Sequence, residues 1–449
     1  MRIFRFARMI AAFLAGVILI QLLHACGARP LATGRTRLTI ATVNNGDMVV
    51  MQDLSHQFEA DNPDIELRWV VLEENILRQR TTTDVASQGG QFDVLTIGSY
   101  ETPIWAKRGW LRPLDQLPVD YDVDDLIDPV RKGLSHNGAL YALPFYGESS
   151  MLYYRHDLFE KAGITAPENP TYEQVGEWAS QVNDPTNGVY GMCLRGKPGW
   201  GENMAFLTTL ANTHGGQWFD MDWAPQLNTQ EWKEAISFYV DVMNNYGPPG
   251  SSSNGFNENL ALFSTGKCGM WIDATVAAGL LSNPEVSQVA DTVGFASAPV
   301  ASYPNGSNWL WSWALAIPET SRSPEAAQKF ITWATSKEYI QLVAEEQGWV
   351  AVPPGTRTST YENPEYQAVA PFAKIVLSAI EAADIENPAA SPTPYKGIQY
   401  VDIPEFQAIG TQVGQRMAAA LADKVSVDQA IEQSQAVAER FMRHTGYIE

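Results

Sequence analysis

Beginning at Arg37, short apolar segments alternate with amphipathic segments in the order strand, helix, strand, helix, strand. The predicted strands cover 38–43, 65–72 and 92–97, and the predicted helices cover 47–60 and 75–87. Met51, Leu54 and Phe58 in the first helix are spaced so that they form one apolar stripe. This alternation predicts an α/β fold. About 420 mature residues exceed one ordinary domain, so two lobes are expected.

Polar side chains occupy the loops that follow these three strands. Asn44 and Asn45 follow the first strand, Glu73 and Glu74 follow the second, and Tyr100 follows the third. Ligands bind beyond the carboxyl ends of parallel strands, so we predict that Asn44, Asn45, Glu74 and Tyr100 line one crevice. The alternative for Asn45 is a turn that starts a helix. Glu74 is preferred because it directly precedes a helix, whereas Glu73 is expected to be a solvated neighbour.

One carboxylate, Glu148, lies among aromatic residues in the segment 141–163; the rings are Tyr146, Tyr153 and Tyr154. A carboxylate can accept two hydrogen bonds from hydroxyls while an aromatic ring covers C–H groups, which is typical of sugar or polyol recognition. Glu148 is therefore a predicted ligand contact. The alternative interpretation is a surface glutamate in a hairpin.

A glycine-rich loop carries two more candidate contacts. Arg195 could chelate adjacent hydroxyls through its guanidinium group, and Trp200 could stack beside it. The same loop begins like a phosphate-binding GxxxxGK motif at residues 191–197, but Pro198 stands where serine or threonine is needed. The loop is therefore interpreted as a ligand-binding loop and not as a nucleotide site.

Further candidates lie near the ends of two later strands. Asp273 ends a predicted strand beside small residues, which suits a hydrogen-bond acceptor, although helix capping is the alternative. Trp309, Trp311 and Trp313 alternate, so in a strand they would share one face. At least one of them is expected in the core, and Trp309 and Trp311 are the predicted ligand contacts.

The amino terminus has the pattern of an export signal. Three arginines precede an apolar run at 9–23, which is shorter than the roughly 20 residues that span a bilayer. Leu23, Ala25 and Cys26 resemble a bacterial lipobox, although His24 is unusual there. We predict a signal peptide at 1–25, a lipidated Cys26 that anchors the protein to the membrane, and a tether at 26–36. A plain signal peptide or an uncleaved anchor is the alternative.

The mature chain is strongly acidic. Removing the three signal-peptide arginines leaves 27 basic and 51 acidic residues, a net charge of −24. Such a surface repels phosphates, so no nucleic-acid partner is expected. Cys193 and Cys268 remain as an even pair in an oxidising compartment, which predicts a disulfide, with two free thiols as the alternative. The histidines have no ligand spacing, so no metal or cofactor is expected.

Several sequence blocks resemble the bacterial extracellular solute-binding family that includes maltodextrin-binding proteins, and within it the sorbitol/mannitol-binding branch. They include TIATVNNGDM (39–48), FDVLTIGSYETPIW (92–105), YALPFYGESSMLYYRHDLFEKAGI (141–164), LRGKPGWGENMAFLTTLA (194–211) and NWLWSWALAIP (308–318). The resemblance implies a periplasmic-binding-protein-like α/β fold with two lobes, a hinge and a ligand cleft between the lobes. It places one lobe at 37–147 plus 292–340 and the other at 148–291 plus 341–449.

The resemblance also implies a function. The chain is expected to be a monomeric, lipid-anchored binding component of an ABC importer, which captures sorbitol, mannitol or a related sugar outside the cytoplasm. It would deliver the ligand to a membrane permease without breaking a bond, so it would not be an enzyme. The main alternative is a secreted glycoside hydrolase that uses a pair among Glu74, Glu148 and Asp273. A lipid-anchored adhesin or sensor is a third interpretation.

Overall fold

The computed structural model describes residues 34–304 and 306–449. The predicted signal peptide, Cys26 and most of the predicted tether therefore lie outside the described residues. In the part of the chain that is described, the helices are all too short or too polar to cross a membrane.

Eleven strands lie in the described residues. They are β1 Thr36–Val43, β2 Ile65–Leu72, β3 Val94–Gly98, β4 Ser135–His136, β5 Ala139–Leu140, β6 Ala142–Glu148, β7 Ser150–Arg155, β8 Tyr190–Cys193, β9 Cys268–Ala274, β10 Val293–Ser297 and β11 Trp311–Ala316.

The α-helices of the same residues are α1 Gly46–Asp61, α2 Glu74–Ser87, α3 Glu101–Lys107, α4 Asp128–Gly133, α5 His156–Ala162, α6 Tyr172–Val182, α7 Asn203–His214, α8 Gln230–Tyr246, α9 Phe256–Ser264, α10 Ala277–Ser282, α11 Pro324–Ala334, α12 Lys337–Gln347, α13 Thr358–Glu362, α14 Pro364–Val369, α15 Ala373–Glu381, α16 Phe406–Leu421 and α17 Val427–Thr445.

The first lobe is built on a five-stranded sheet in the order β2-β1-β3-β11-β6. β1 is parallel to β2 and β3, whereas β11 is antiparallel to β3 and β6. α1 buries its predicted stripe of Met51, Leu54 and Phe58 against this sheet. The predicted α/β alternation is confirmed. Because β1, β2 and β3 are parallel, the loops that follow them lie at one edge of the sheet.

A four-stranded sheet in the order β10-β7-β9-β8 forms the second lobe. β6 ends at Glu148 and β7 begins at Ser150, so a single residue links the two sheets. The chain returns to the first sheet between β10 and β11. β10 pairs with β7, so residues 293–297 lie in the second sheet, whereas the boundary expected from the sequence assigned them to the first lobe.

The second lobe also contains the carboxyl-terminal helices and a disulfide. α16 packs on α7, where Asn203 Nδ2 donates to the Gly414 carbonyl at 2.8 Å. Cys193 at the end of β8 and Cys268 at the start of β9 form a disulfide with their Cα atoms 6.0 Å apart. This bond joins two neighbouring strands directly below the loop that carries Arg195.

Candidate functional site

A cavity of about 190 Å³ lies between the lobes, beyond the carboxyl ends of the strands. Pockets for drug-sized ligands are larger, roughly 300–1,000 Å³, so this cavity suits a small ligand. Eight of the ten predicted ligand contacts line it: Asn44, Asn45, Glu74, Glu148, Arg195, Trp200, Trp309 and Trp311. Tyr100 and Asp273 do not line it. No group of side chains with metal-ligand geometry occurs in the described residues.

Asn45 has two roles at the start of α1. Its Oδ1 accepts a hydrogen bond from the Met48 amide at 3.0 Å and so caps the helix, as the alternative interpretation proposed. Its Nδ2 donates to the Tyr146 hydroxyl at 2.8 Å. Tyr146 also lines the cavity but was not predicted to do so. It lies two residues before Glu148 in β6, and the period of a strand places both side chains on one face.

Glu74 is held by Arg78, which lies one helical turn later in α2. Arg78 Nε and Nη2 donate to Glu74 Oε1 at 3.1 and 2.9 Å, and Nη1 donates to Glu101 at 2.6 Å. The buried guanidinium lies 4.1 Å from the centroid of the Trp200 ring and 4.8 Å from that of Trp311. Arg78 lines the cavity although it was not predicted to do so. Its spacing of four residues from Glu74 could have indicated an ion pair between the two on one face of the helix.

Glu148 is the acidic residue at the point where the chain crosses between the lobes. Its side chain is 6% exposed, and it pairs in register with Trp311 of β11. Burial raises the pKa of Glu148 well above its ordinary value, and although Arg195 acts in the opposite direction, the nearby Asp273 and Glu74 raise it further. Glu148 has no salt bridge to a described residue, because Arg195 is paired with Asp273, so its carboxyl group is available to a hydrogen-bond donor of a ligand.

Asp273, a predicted ligand contact, binds Arg195 and holds it in position. Asp273 is 1% exposed, and both of its carboxylate oxygens accept hydrogen bonds from Arg195, with Nε to Oδ2 at 2.9 Å. It also accepts from the Trp271 indole at 3.0 Å and from the Ala274 amide at 2.7 Å. Its acceptor capacity is thus used inside the lobe, and it orients Arg195 from behind the cavity wall.

Tyr100 also lies behind the wall, contrary to the sequence-based expectation. Its hydroxyl donates to the Ile403 carbonyl at 2.9 Å and accepts from the Gln407 amide at 3.2 Å. Its ring centroid lies 4.6 Å from that of Trp200. Tyr100 therefore supports a cavity-lining tryptophan, because its own polar group is already bound to the backbone near α16.

Glu202 is a buried carboxylate of the cavity that was not predicted. It lies seven residues after Arg195, and the two side chains approach within 3.7 Å between Nη1 and Oε2. Burial and the neighbouring Glu74 raise the pKa of Glu202 to about 7, although Arg195 and Lys197 act in the opposite direction. Its Oε2 has no hydrogen-bond partner among the described residues. Its proximity in sequence to Arg195 and Trp200 could have identified Glu202 as a candidate cavity residue.

The tryptophans that line the cavity provide flat surfaces, and two of them have indole donors without a partner among the described residues. The indole N–H groups of Trp200 and Trp309 are buried and have no partner among the described residues. Trp313 lines the cavity together with Trp309 and Trp311, although only the last two were predicted to contact the ligand. The cavity thus combines buried donors, buried acceptors and aromatic faces.

The pair of Arg195 and Asp273 yields a stability prediction. Asp273→Ala leaves the buried Arg195 without its main partner, so the free energy of unfolding should fall by about 3–5 kcal/mol in chemical denaturation. The matched control is Asp428→Ala, whose partner Lys233 is half exposed, and this change should cost less than about 1 kcal/mol. Equal losses for the two variants would contradict the role of Asp273.

The chain is similar to known proteins in sequence. The sequence model of a family described as bacterial extracellular solute-binding protein matches residues 45–341. The mannitol-binding protein of Pseudomonas aeruginosa is 56% identical over 424 residues, which is 94% of this chain and 97% of that protein. It is therefore similar to this chain over nearly the whole length of both.

Two solved structures are similar in fold. An ABC transporter solute-binding protein from Agrobacterium vitis with bound D-mannitol has a TM-score of 0.91 and 59% identity, covering 92% of this chain and all of that one. A second such protein, from Agrobacterium radiobacter in complex with ribitol, has a TM-score of 0.80 and 25% identity. The match covers 90% of this chain and 98% of that one. The relatives are described as binding proteins and not as enzymes, which confirms the prediction of a non-enzyme against the hydrolase alternative.

Proposed function

Because this chain belongs to the bacterial extracellular solute-binding protein family, we propose that it binds mannitol and related linear polyols as the binding component of an ABC importer. The relatives with mannitol and ribitol in their names or bound in their structures support the class of ligand. The chain's own cavity supports it independently.

The proposal rests mainly on one small cavity being lined both by residues with buried hydrogen-bond donors and by residues with buried acceptors. The indole groups of Trp200 and Trp309 have hydrogens to donate, whereas Glu148 and Glu202 have oxygens that can accept. A hydroxyl group both donates and accepts, so a chain of hydroxyls satisfies both kinds of group. The indole faces of the same wall can cover the C–H groups between the hydroxyls.

Delivery of the ligand to a membrane permease is proposed to depend on closure of the two lobes around it. A ligand that contacts both lobes binds the closed arrangement more tightly than the open one. This difference in binding free energy is the amount by which the ligand shifts the equilibrium toward closure. We propose that the closed, loaded protein docks on a membrane permease as a monomer, and that lipidated Cys26 keeps it near the membrane. The lobes are proposed to meet at the crossing beside Glu148, with the return crossing placed between β10 and β11.

Calorimetric titration of the purified protein tests the function. Mannitol, sorbitol and ribitol should each bind, and at 100 times the dissociation constant a ligand should stabilise the fold by about 2.7 kcal/mol in a parallel unfolding experiment. Maltose is the control, because a cavity of about 190 Å³ is small for a disaccharide. Absence of heat and of stabilisation across the polyols would contradict the proposal.

Glu148 should contribute strongly to affinity. Glu148→Ala removes a buried acceptor for ligand hydroxyls, so mannitol binding should weaken by about 2–5 kcal/mol, measured by the same titration. Glu148→Gln keeps one acceptor oxygen and should lose less. Glu160→Ala is the matched control, because that side chain is 71% exposed and distant from the cavity lining. Wild-type affinity in Glu148→Ala would remove Glu148 from the ligand contacts.

The lipid anchor requires a test in cells. When the full-length chain is produced in a bacterium with lipoprotein processing, we expect it in the membrane fraction. Cys26→Ala should shift it to the soluble exported fraction, because a lipid chain supplies the membrane affinity. Gly27→Ala is the control and should remain in the membrane fraction. The same distribution for wild type and Cys26→Ala would contradict the anchor.

A further inference from the structure

The glycine-rich loop of the second lobe lies directly against the start of α2 in the first lobe. Lys197 forms an ion pair with Glu73 across the cleft, and Asn75 Nδ2 donates to the Pro198 carbonyl at 3.4 Å. Trp200 of this loop covers the guanidinium of Arg78. The loop is therefore the part of the second lobe that meets α2 when the cleft is closed.

Gly201 of this loop leaves no room for a side chain against α2. A Cβ atom added there would overlap Glu74 Oε1 and lie 3.1 Å from Arg78 Nη2. The φ angle of Gly201 is outside the left-handed region, so alanine is compatible with its backbone. The need for glycine therefore comes from the opposite lobe and not from the conformation of the loop.

Neither side of this contact can easily give way. Glu74 Oε1 is held by two hydrogen bonds from Arg78, whose side chain is 4% exposed and is itself bound to Glu101. On the other side, the Gly201 carbonyl accepts from Arg195 Nη1 at 2.9 Å. Buried Asp273 fixes Arg195 in turn. Two ion pairs, one in each lobe, thus face each other across a residue without a side chain.

We propose that Gly201 sets the limit of cleft closure, so that its missing side chain is a determinant of ligand affinity. This inference rests on the proposed polyol binding, because closure is what the ligand would stabilise. With alanine at this position the lobes stop short of the closed arrangement. The binding-competent state is then less populated, and the apparent dissociation constant rises in inverse proportion.

The test compares Gly201→Ala with the wild type by calorimetry with mannitol and by small-angle X-ray scattering. Overpacking of a well-packed contact should weaken binding roughly tenfold or more. At saturating mannitol the variant should keep a larger radius of gyration than the wild type, while its melting temperature without ligand stays unchanged. The control is Gly133→Ala, where an added Cβ would have its nearest neighbour, Ser99 Cβ, at 3.4 Å.

A second background separates closure from direct contact with the ligand, since Gly201 also lines the cavity. Glu74→Ala removes the obstructing carboxylate, so adding Gly201→Ala in that background should change affinity by less than about threefold. An undiminished effect there, or wild-type affinity and scattering in Gly201→Ala, would overturn the inference while leaving polyol binding intact. A wild-type protein that binds no polyol would overturn the proposed function and this inference with it.

Discussion

The desolvation of charged side chains in the cleft is the constraint on which the rest of the structure depends. A charge removed from water costs several kcal/mol unless it is paired and hydrogen-bonded. Each lobe pairs internally the buried arginine that it contributes to the cavity, Arg78 with Glu101 and Arg195 with Asp273. Glu148 is buried beside them without such a partner, and its raised pKa reflects that cost. Hydrogen bonds from the hydroxyls of a polyol would lower this desolvation cost, which links ligand binding to charge compensation.

The fold supplies the rigidity that these ion pairs require. Arg195 follows β8 and Asp273 lies in β9, and these neighbouring parallel strands are also joined by the disulfide between Cys193 and Cys268. In the first lobe, α2 follows β2 and α3 follows β3, so Arg78 and Glu101 meet at the edge where the parallel strands end. Arg78 thus lies within a helix, and Arg195, which lies in a loop, is oriented by Asp273 of β9.

Much of this arrangement could be predicted from local sequence patterns. The strand and helix periodicities predicted the first sheet, and the rule for carboxyl ends of strands led to Asn44 and Glu74. Tyr100 and Asp273 lie behind the cavity lining, which their sequence positions could not show, because a position after or in a strand does not reveal which distant residue binds the side chain. Arg195 lies 78 residues before Asp273. Likewise, a short edge strand such as β10 can pair with either sheet, and only tertiary structure decides.

Two of the polar contacts that cross the cleft are exposed and individually weak. Asn257 Nδ2 donates to the Asn44 carbonyl at 3.0 Å in an exposed position, and the ion pair of Lys197 with Glu73 is partly exposed. Exposed pairs of this kind contribute roughly 0–1 kcal/mol. The closed arrangement therefore gains little from these two contacts and depends on buried groups, such as Tyr100 at the Ile403 carbonyl and Trp200 over Arg78, and on the residues that line the cavity. The cavity residues include Glu148, which forms no ion pair with a described residue, and the indole groups of Trp200 and Trp309, so a ligand that binds them can decide whether the lobes stay together.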